Sequence, residues 1–220
     1  MGMKFKMDEK FYEDLKEKIQ PYFEEAGSHS FDHTERVYNL AVHIAESEDV
    51  DLDIIKVSAL LHDIARKKQE ECKGDICHAE EGSKIAREIL EEFNFSKEKI
   101  NSICHAISVH RYSKGLKSET REAEIIQDAD RLDALGAICI ARIFHYGGSL
   151  KRKMHDSKLN QKKYGLNSES ETSFIHFYEK ILKIKPETFK TDEAKKIARE
   201  RYKFVEEFVD RFLNEWEGKL

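Results

Sequence analysis

The chain has 220 residues, 37% of them charged, with only two prolines and ten glycines, so it suits one large domain or two small ones with little to break helices. A net charge of −5 supplies no global basic field for nucleic acid, and no apolar run reaches the ~20 residues of a membrane span. Cys72, Cys77, Cys104 and Cys139 form no Cys-x-x-Cys pair or disulfide framework, and no signal-peptide core follows Met1; the expected compartment is the cytoplasm.

In chain order, residues 8–25 predict a first helix with Phe11, Leu15, Ile19 and Phe23 along one side and Pro21 perturbing its end. A second helix is expected over about 33–46. There His33 opens the apolar stripe that continues through Val37, Leu40 and Ile44. Residues 51–66 predict a central helix, with Leu52, Ile55, Ala59 and His62 on one stripe and an almost entirely apolar last turn. His62 and Asp63 then sit at the buried end of a core helix, where an unpaired carboxylate is costly and a bound cation removes the cost. Residues 67–78 read as polar and irregular.

The helix expected over 79–93 turns Ala79, Gly82, Ala86, Ile89 and Phe93 inward. Ser96 can cap the next, whose stripe of Ile100, Ile103 and Ile107 ends on His110; His105 lies on a wetter side. After a loop over 112–120, a single helix is predicted over 121–145 and ended by Gly147-Gly148. A loop over 149–169 and two helices over 171–184 and 191–216 complete an all-α chain, the last helix carrying Phe204, Phe208, Phe212 and Trp216. With no repeat and no linker, residues 1–220 read as one domain. The basic stretch 151–163 reads as a solvated loop or, alternatively, as an arm touching phosphate.

Chemistry concentrates in His33, the pair His62-Asp63, and an acid within Gln127-Asp128-Ala129-Asp130-Arg131-Leu132-Asp133. Imidazoles with carboxylates suit Mn, Fe, Ni, Co, Mg or Zn. Adjacent helical residues splay by about 100°, so a His-Asp pair can embrace an ion beside the last turn. Asp130 and Asp133 share one flank of their helix and Asp128 the other, which leaves the final acid open. His78 and His110 lie between the pair and that acid.

The order His … His-Asp … Asp resembles the HD-domain superfamily of metal-dependent phosphohydrolases, in particular its small stand-alone bacterial and archaeal members. The segments that carry the likeness are Ser28-His29-Ser30-Phe31-Asp32-His33, Ala59-Leu60-Leu61-His62-Asp63-Ile64-Ala65-Arg66, His78-Ala79-Glu80-Glu81-Gly82 and Gln127 through Gly136. A second dipeptide, His155-Asp156, reads as coincidence.

The resemblance implies a helical bundle with a core over about 28–148, the helices of 171–216 packed on it, and a metal site between core helices. It implies His33, His62, Asp63 and Asp130 as ligands, Asp130 because it precedes Arg131 in Ala-Asp-Arg-Leu, and Asp133 as an orienting group. One ion is expected, with a second in relatives that add histidines where His78 and His110 stand. Asp63, His78 and His110 become the catalytic candidates. Arg66, Arg111 and Arg131 become candidates to hold phosphate, unless each pairs with a neighbouring carboxylate. The implied partner is a small phosphorylated molecule, with a nucleotide preferred; self-association is left open. A di-iron oxygenase and a non-catalytic metal-binding signalling module are the alternatives.

Overall fold

Apolar periodicity becomes helix through most of the computed structural model, which describes residues 7, 9–23, 31–158 and 171–220. Part of the first motif (Ser28, His29, Ser30) and part of the basic stretch (Lys162, Lys163) lie outside the described residues. The helices are α1 (Glu9–Ile19), α2 (Phe31–Ala45), α3 (Leu52–Leu61), α4 (Arg66–Glu71), α5 (His78–Glu92), α6 (Lys97–Val109), α7 (Arg121–Leu132), α8 (Ala137–Ser149), α9 (His176–Glu179) and α10 (Asp192–Trp216). Among the described residues the β pairing is one isolated bridge between Lys153 and Thr172. The chain divides into two compact units, the first ending at Asp130 and the second beginning at Arg131.

In the first unit, α2 packs on α3, α3 on α6, and α5 on α6. Leu15, Ile19, Leu60, Leu61, Ile64, Leu90, Ile103 and Ile107 are its fully buried centre. Each fully buried aliphatic side chain contributes about 1.5–3 kcal/mol of transfer free energy, so this layer holds the helix ends in register. Local signals set the starts: Asp51 Oδ1 accepts from the Asp53 amide at 2.9 Å to cap α3, and Ser96 Oγ from the Lys99 amide at 3.3 Å to cap α6. α7 is tied down by Arg121, which forks onto Glu48 at 2.7 and 2.9 Å, and by Gln127, which donates to the Val109 carbonyl at 2.6 Å. The last of these bonds sets Gln127 of α7 against the end of α6.

Several boundaries differ from the periodic reading. The long helix expected over 121–145 is two helices, because Gly136 turns at φ +85°, a conformation open mainly to glycine, with the Arg201 stem 3.2 Å from where a Cβ would stand. Gly147 and Gly148 lie inside α8 and do not end it. A Cβ on Gly147 would fall 1.8 Å from Ser173 Oγ, so the position is a close approach and not a stop signal. The polar run after Asp63 contains α4, whose side chains are too hydrophilic to show an apolar stripe. Residues 171–184 form the four-residue α9 and one 3-10 turn (Ile181–Lys183) in place of a full helix. Leu52, assigned to a buried stripe, is exposed at the start of α3.

In the second unit, α8 and α10 pack together around an aromatic group. Phe212 stacks on Phe174 at 4.4 Å and on Phe144 at 5.8 Å between ring centres. α10 buries Ala194, Ala198, Tyr202, Val205 and Val209, whereas Phe204 faces solvent. No described helix is long and apolar enough to cross a membrane.

Candidate metal centre

Six side chains of the first unit meet where α2, α3, α5, α6 and α7 present their ends. His33 comes from the first turn of α2, His62 from the C-terminal cap of α3 and Asp63 from the turn after it. His78 is the first residue of α5, His110 caps α6, and Asp130 stands in the last turn of α7. All are buried except Asp130, whose side chain is 28% exposed and gives the cluster its opening to solvent.

The Asp63 carboxylate lies between two pairs of histidines. Its Oδ2 is 3.8 Å from His33 Nε2 and 4.0 Å from His62 Nε2. Its Oδ1 is 3.2 Å from His78 Nε2 and 3.5 Å from His110 Nε2. Within the pairs, His33 and His62 place their Nε2 atoms 3.3 Å apart, and His78 and His110 theirs 3.2 Å apart. Asp130 Oδ1 completes the first group at 3.3 Å from His33 Nε2. Bonds of about 2.0–2.2 Å to a four- or six-coordinate ion require donors about 2.8–3.6 Å apart. The Asp63–His78–His110 triangle meets that range as it stands, and the His33–His62–Asp63 triangle is a few tenths of an ångström wider.

The remaining ring nitrogens explain why Nε2 faces inward. His62 Nδ1 lies 2.7 Å from the Ala59 carbonyl and His110 Nδ1 2.7 Å from the Ile107 carbonyl, each three residues back on its own helix. A carbonyl only accepts, so each Nδ1 carries hydrogen, and in the neutral ring the lone pair is left on Nε2. Two such rings turned toward neighbouring imidazole nitrogens and a shared carboxylate make an electron-rich pocket, and the donor set fits a divalent cation. His78 differs, because a residue opening a helix has no carbonyl one turn back. Its Nδ1 instead meets Gln69 Oε1 at 2.5 Å and Arg66 Nη1 at 3.0 Å, both side chains of α4.

The electrostatics suit ligation. Burial lowers the His62 imidazole to about 4, with His110 and His33 adding to the effect against the pull of Asp63. Burial likewise lowers His78 to about 3, helped by Arg66. Both rings are therefore neutral, the form that donates electrons, at ordinary pH. Burial opposes ionisation of Asp63, but His62, the His110 hydrogen bond and Arg66 outweigh it and hold the carboxyl well below the usual carboxylate range. Asp130 is held below its ordinary value in the same way, mainly by His33 acting against burial.

The other sequence candidates fall in different places. Arg66 reaches toward the cluster, with Nε 3.6 Å from Asp63 Oδ2. Arg111 donates to Cys77 Sγ at 3.7 Å, which links the residues next to His78 and His110. Arg131 is engaged within the second unit, donating to the Thr188 carbonyl at 2.9 Å and lying 4.3 Å over the Phe189 ring. Of the three acids left open, Asp130 stands against His33, Asp128 is fully buried, and Asp133 accepts from Arg142 Nη1 at 2.5 Å. His155 packs edge-on against Phe174, Phe212 and Trp216 in the second unit. Cys104 and Cys139 are buried thiols, as expected of cysteines in apolar stripes. Gln69 has one signal in the sequence, its i, i+3 spacing from Arg66 inside a polar run.

The chain is similar to known proteins over most of its length. A family model for the HD domain matches residues 30–135. The uncharacterized protein YpgQ of Bacillus subtilis (strain 168) is 30% identical over 193 residues, covering 84% of this chain and 83% of YpgQ. An HD-superfamily hydrolase from Bacillus thuringiensis has a solved structure that superposes with a TM-score of 0.74 at 32% identity, over 94% of this chain and 97% of that one. The structure of Bacillus subtilis YpgQ in complex with ADP superposes with a TM-score of 0.66 at 29% identity, over 93% of this chain and 96% of that one.

Proposed function

Since the chain belongs to the HD superfamily of hydrolases, we propose that it is a metal-dependent phosphohydrolase acting on a phosphoester or phosphoanhydride of a nucleotide. The observation that carries the reading is the Asp63 carboxylate set between two histidine pairs, with Asp130 beside the first. The relative crystallised with ADP supports a nucleotide as the substrate class. Fold alone would not, since one fold hosts many activities.

In this reading His33, His62, Asp63 and Asp130 hold a divalent ion, and His78 and His110 with Asp63 form a second position. Bound there, a divalent ion supplies Lewis acidity toward a phosphoryl oxygen and lowers the pKa of water. The protein does the rest. Asp63 and Asp130 stay ionised and fix the charge of the pocket. His78 or His110, when it is not ligating, can hold or pass a proton at Nε2, within hydrogen-bond reach of Asp63. Arg66, a quarter exposed beside Asp63, is placed to bind a phosphate oxygen. Arg111, through Cys77, steadies the segment that carries His78. The depth of the four histidines keeps bulk water from the reacting centre.

The test is a panel of nucleoside mono-, di- and triphosphates with Mn, Mg, Co and Ni, run on the wild type, Asp63→Ala and Asp130→Ala. Metal-dependent release of phosphate or pyrophosphate by the wild type alone is expected. Full turnover by either variant would place the chemistry elsewhere. The shared carboxylate also favours a second reading, a di-iron oxygenase. Iron-loaded protein with a visible charge-transfer band and no phosphate release would select it.

A further inference from the structure

Three of the buried rings in the cluster can be compared by what holds their outer nitrogen. His62 and His110 use carbonyls of their own helices, an anchor that no side-chain substitution removes. His78 opens α5 and has no such carbonyl, so its ring depends on α4. Two side chains there make opposite demands. Gln69 Oε1, at 2.5 Å, accepts and requires a hydrogen on Nδ1. Arg66 Nη1, at 3.0 Å, donates and requires the lone pair on Nδ1. The first arrangement leaves the Nε2 lone pair facing Asp63 Oδ1 and His110 Nε2. The second puts a hydrogen there and closes that half of the cluster to a cation.

We propose that Gln69 is a positioning residue: its amide oxygen holds His78 in the Nδ1–H form and so keeps Nε2 available as a donor to the Asp63–His78–His110 group. Arg66 is the opposing partner, already drawn toward Asp63 Oδ2 at 3.6 Å. The short α4 puts both side chains on one face at i, i+3, so both reach the same ring nitrogen. The consequence for metal binding rests on the hydrolase reading above; the hydrogen-bond geometry at His78 does not.

Long-range proton–nitrogen correlation spectra of metal-free, nitrogen-15-labelled protein report which ring nitrogen of each histidine carries hydrogen. The His78 signals are assigned by their loss in His78→Gln. The expected result is the Nδ1–H form in the wild type and in Gln69→Glu, and a move toward Nε2–H in Gln69→Leu. An Nε2–H form in the wild type, or a Gln69→Leu spectrum identical to it, would overturn the role. The wild-type spectrum decides even where the leucine variant misfolds. In parallel, calorimetric titration with Mn(II) should show one ion bound about 10–100-fold more weakly by Gln69→Leu, with Gln69→Glu restoring it. Equal weakening at both positions would also count against the proposal. A wild type that takes up no Mn(II) would remove the hydrolase reading and leave the spectra to judge Gln69.

Discussion

Lowering the pH should destabilise the metal-free protein well before the Asp63 and Asp130 carboxylates titrate. His62 and His78 are neutral in the folded chain, at about 4 and about 3, against an ordinary histidine value of 6.5. Between those values the unfolded chain binds a proton that the folded chain refuses, so stability is fully present above the unfolded value and falls as pH drops through 6.5 toward 4. From pH 7 to pH 5 the expected loss is about 2 kcal/mol for each ring, and less than the sum for both because they share Asp63. With a urea slope of about 1–3 kcal/mol per molar, the midpoint should fall by roughly 1 M or more. The assay is urea unfolding at both pH values, followed by far-ultraviolet circular dichroism after chelation of metal. His62→Gln removes one titrating ring and should flatten part of the dependence. A midpoint unchanged between pH 7 and pH 5 would refute the neutral, dry environment assigned to these rings.

Saturating Mn(II) at 100 times its dissociation constant should raise unfolding free energy at pH 7 by about 3 kcal/mol, and the gain should shrink at pH 5, where protons compete for the ligands; thermal unfolding checks this. Asp130→Ala should weaken Mn(II) binding in a calorimetric titration. Asp133→Ala should leave it intact but cost about 1–3 kcal/mol of stability, because it removes the buried carboxylate that accepts from Arg142 Nη1. Gly147→Ala should cost about 1–3 kcal/mol by pressing a methyl against Ser173, and adding Ser173→Ala should recover part of that loss in a melting experiment.

The parts of the site that the sequence displayed are those that lie on apolar stripes. His110 follows Ile100, Ile103 and Ile107 at helical spacing, and all four are buried. His33 leads Val37 and Ile44 in the same way. A histidine in phase with a core stripe points inward whatever the loops do. Likeness to a family pattern points to Asp130, since helical angle alone does not separate it from Asp133. What separates them is a tertiary contact: Arg142, nine residues on, occupies Asp133. The break between α7 and α8 was hidden because Leu132 and Cys139 keep helical phase across Gly136. Gln69 is not legible in the sequence because a six-residue helix of Arg, Lys, Gln and Glu shows no apolar periodicity.

The most direct measurement is an anomalous difference map from crystals of the protein soaked in Mn(II). A peak bounded by Nε2 of His33 and His62 and by the carboxylates of Asp63 and Asp130 is the predicted result. Manganese bound elsewhere, or not at all, with these four side chains directed apart would contradict it.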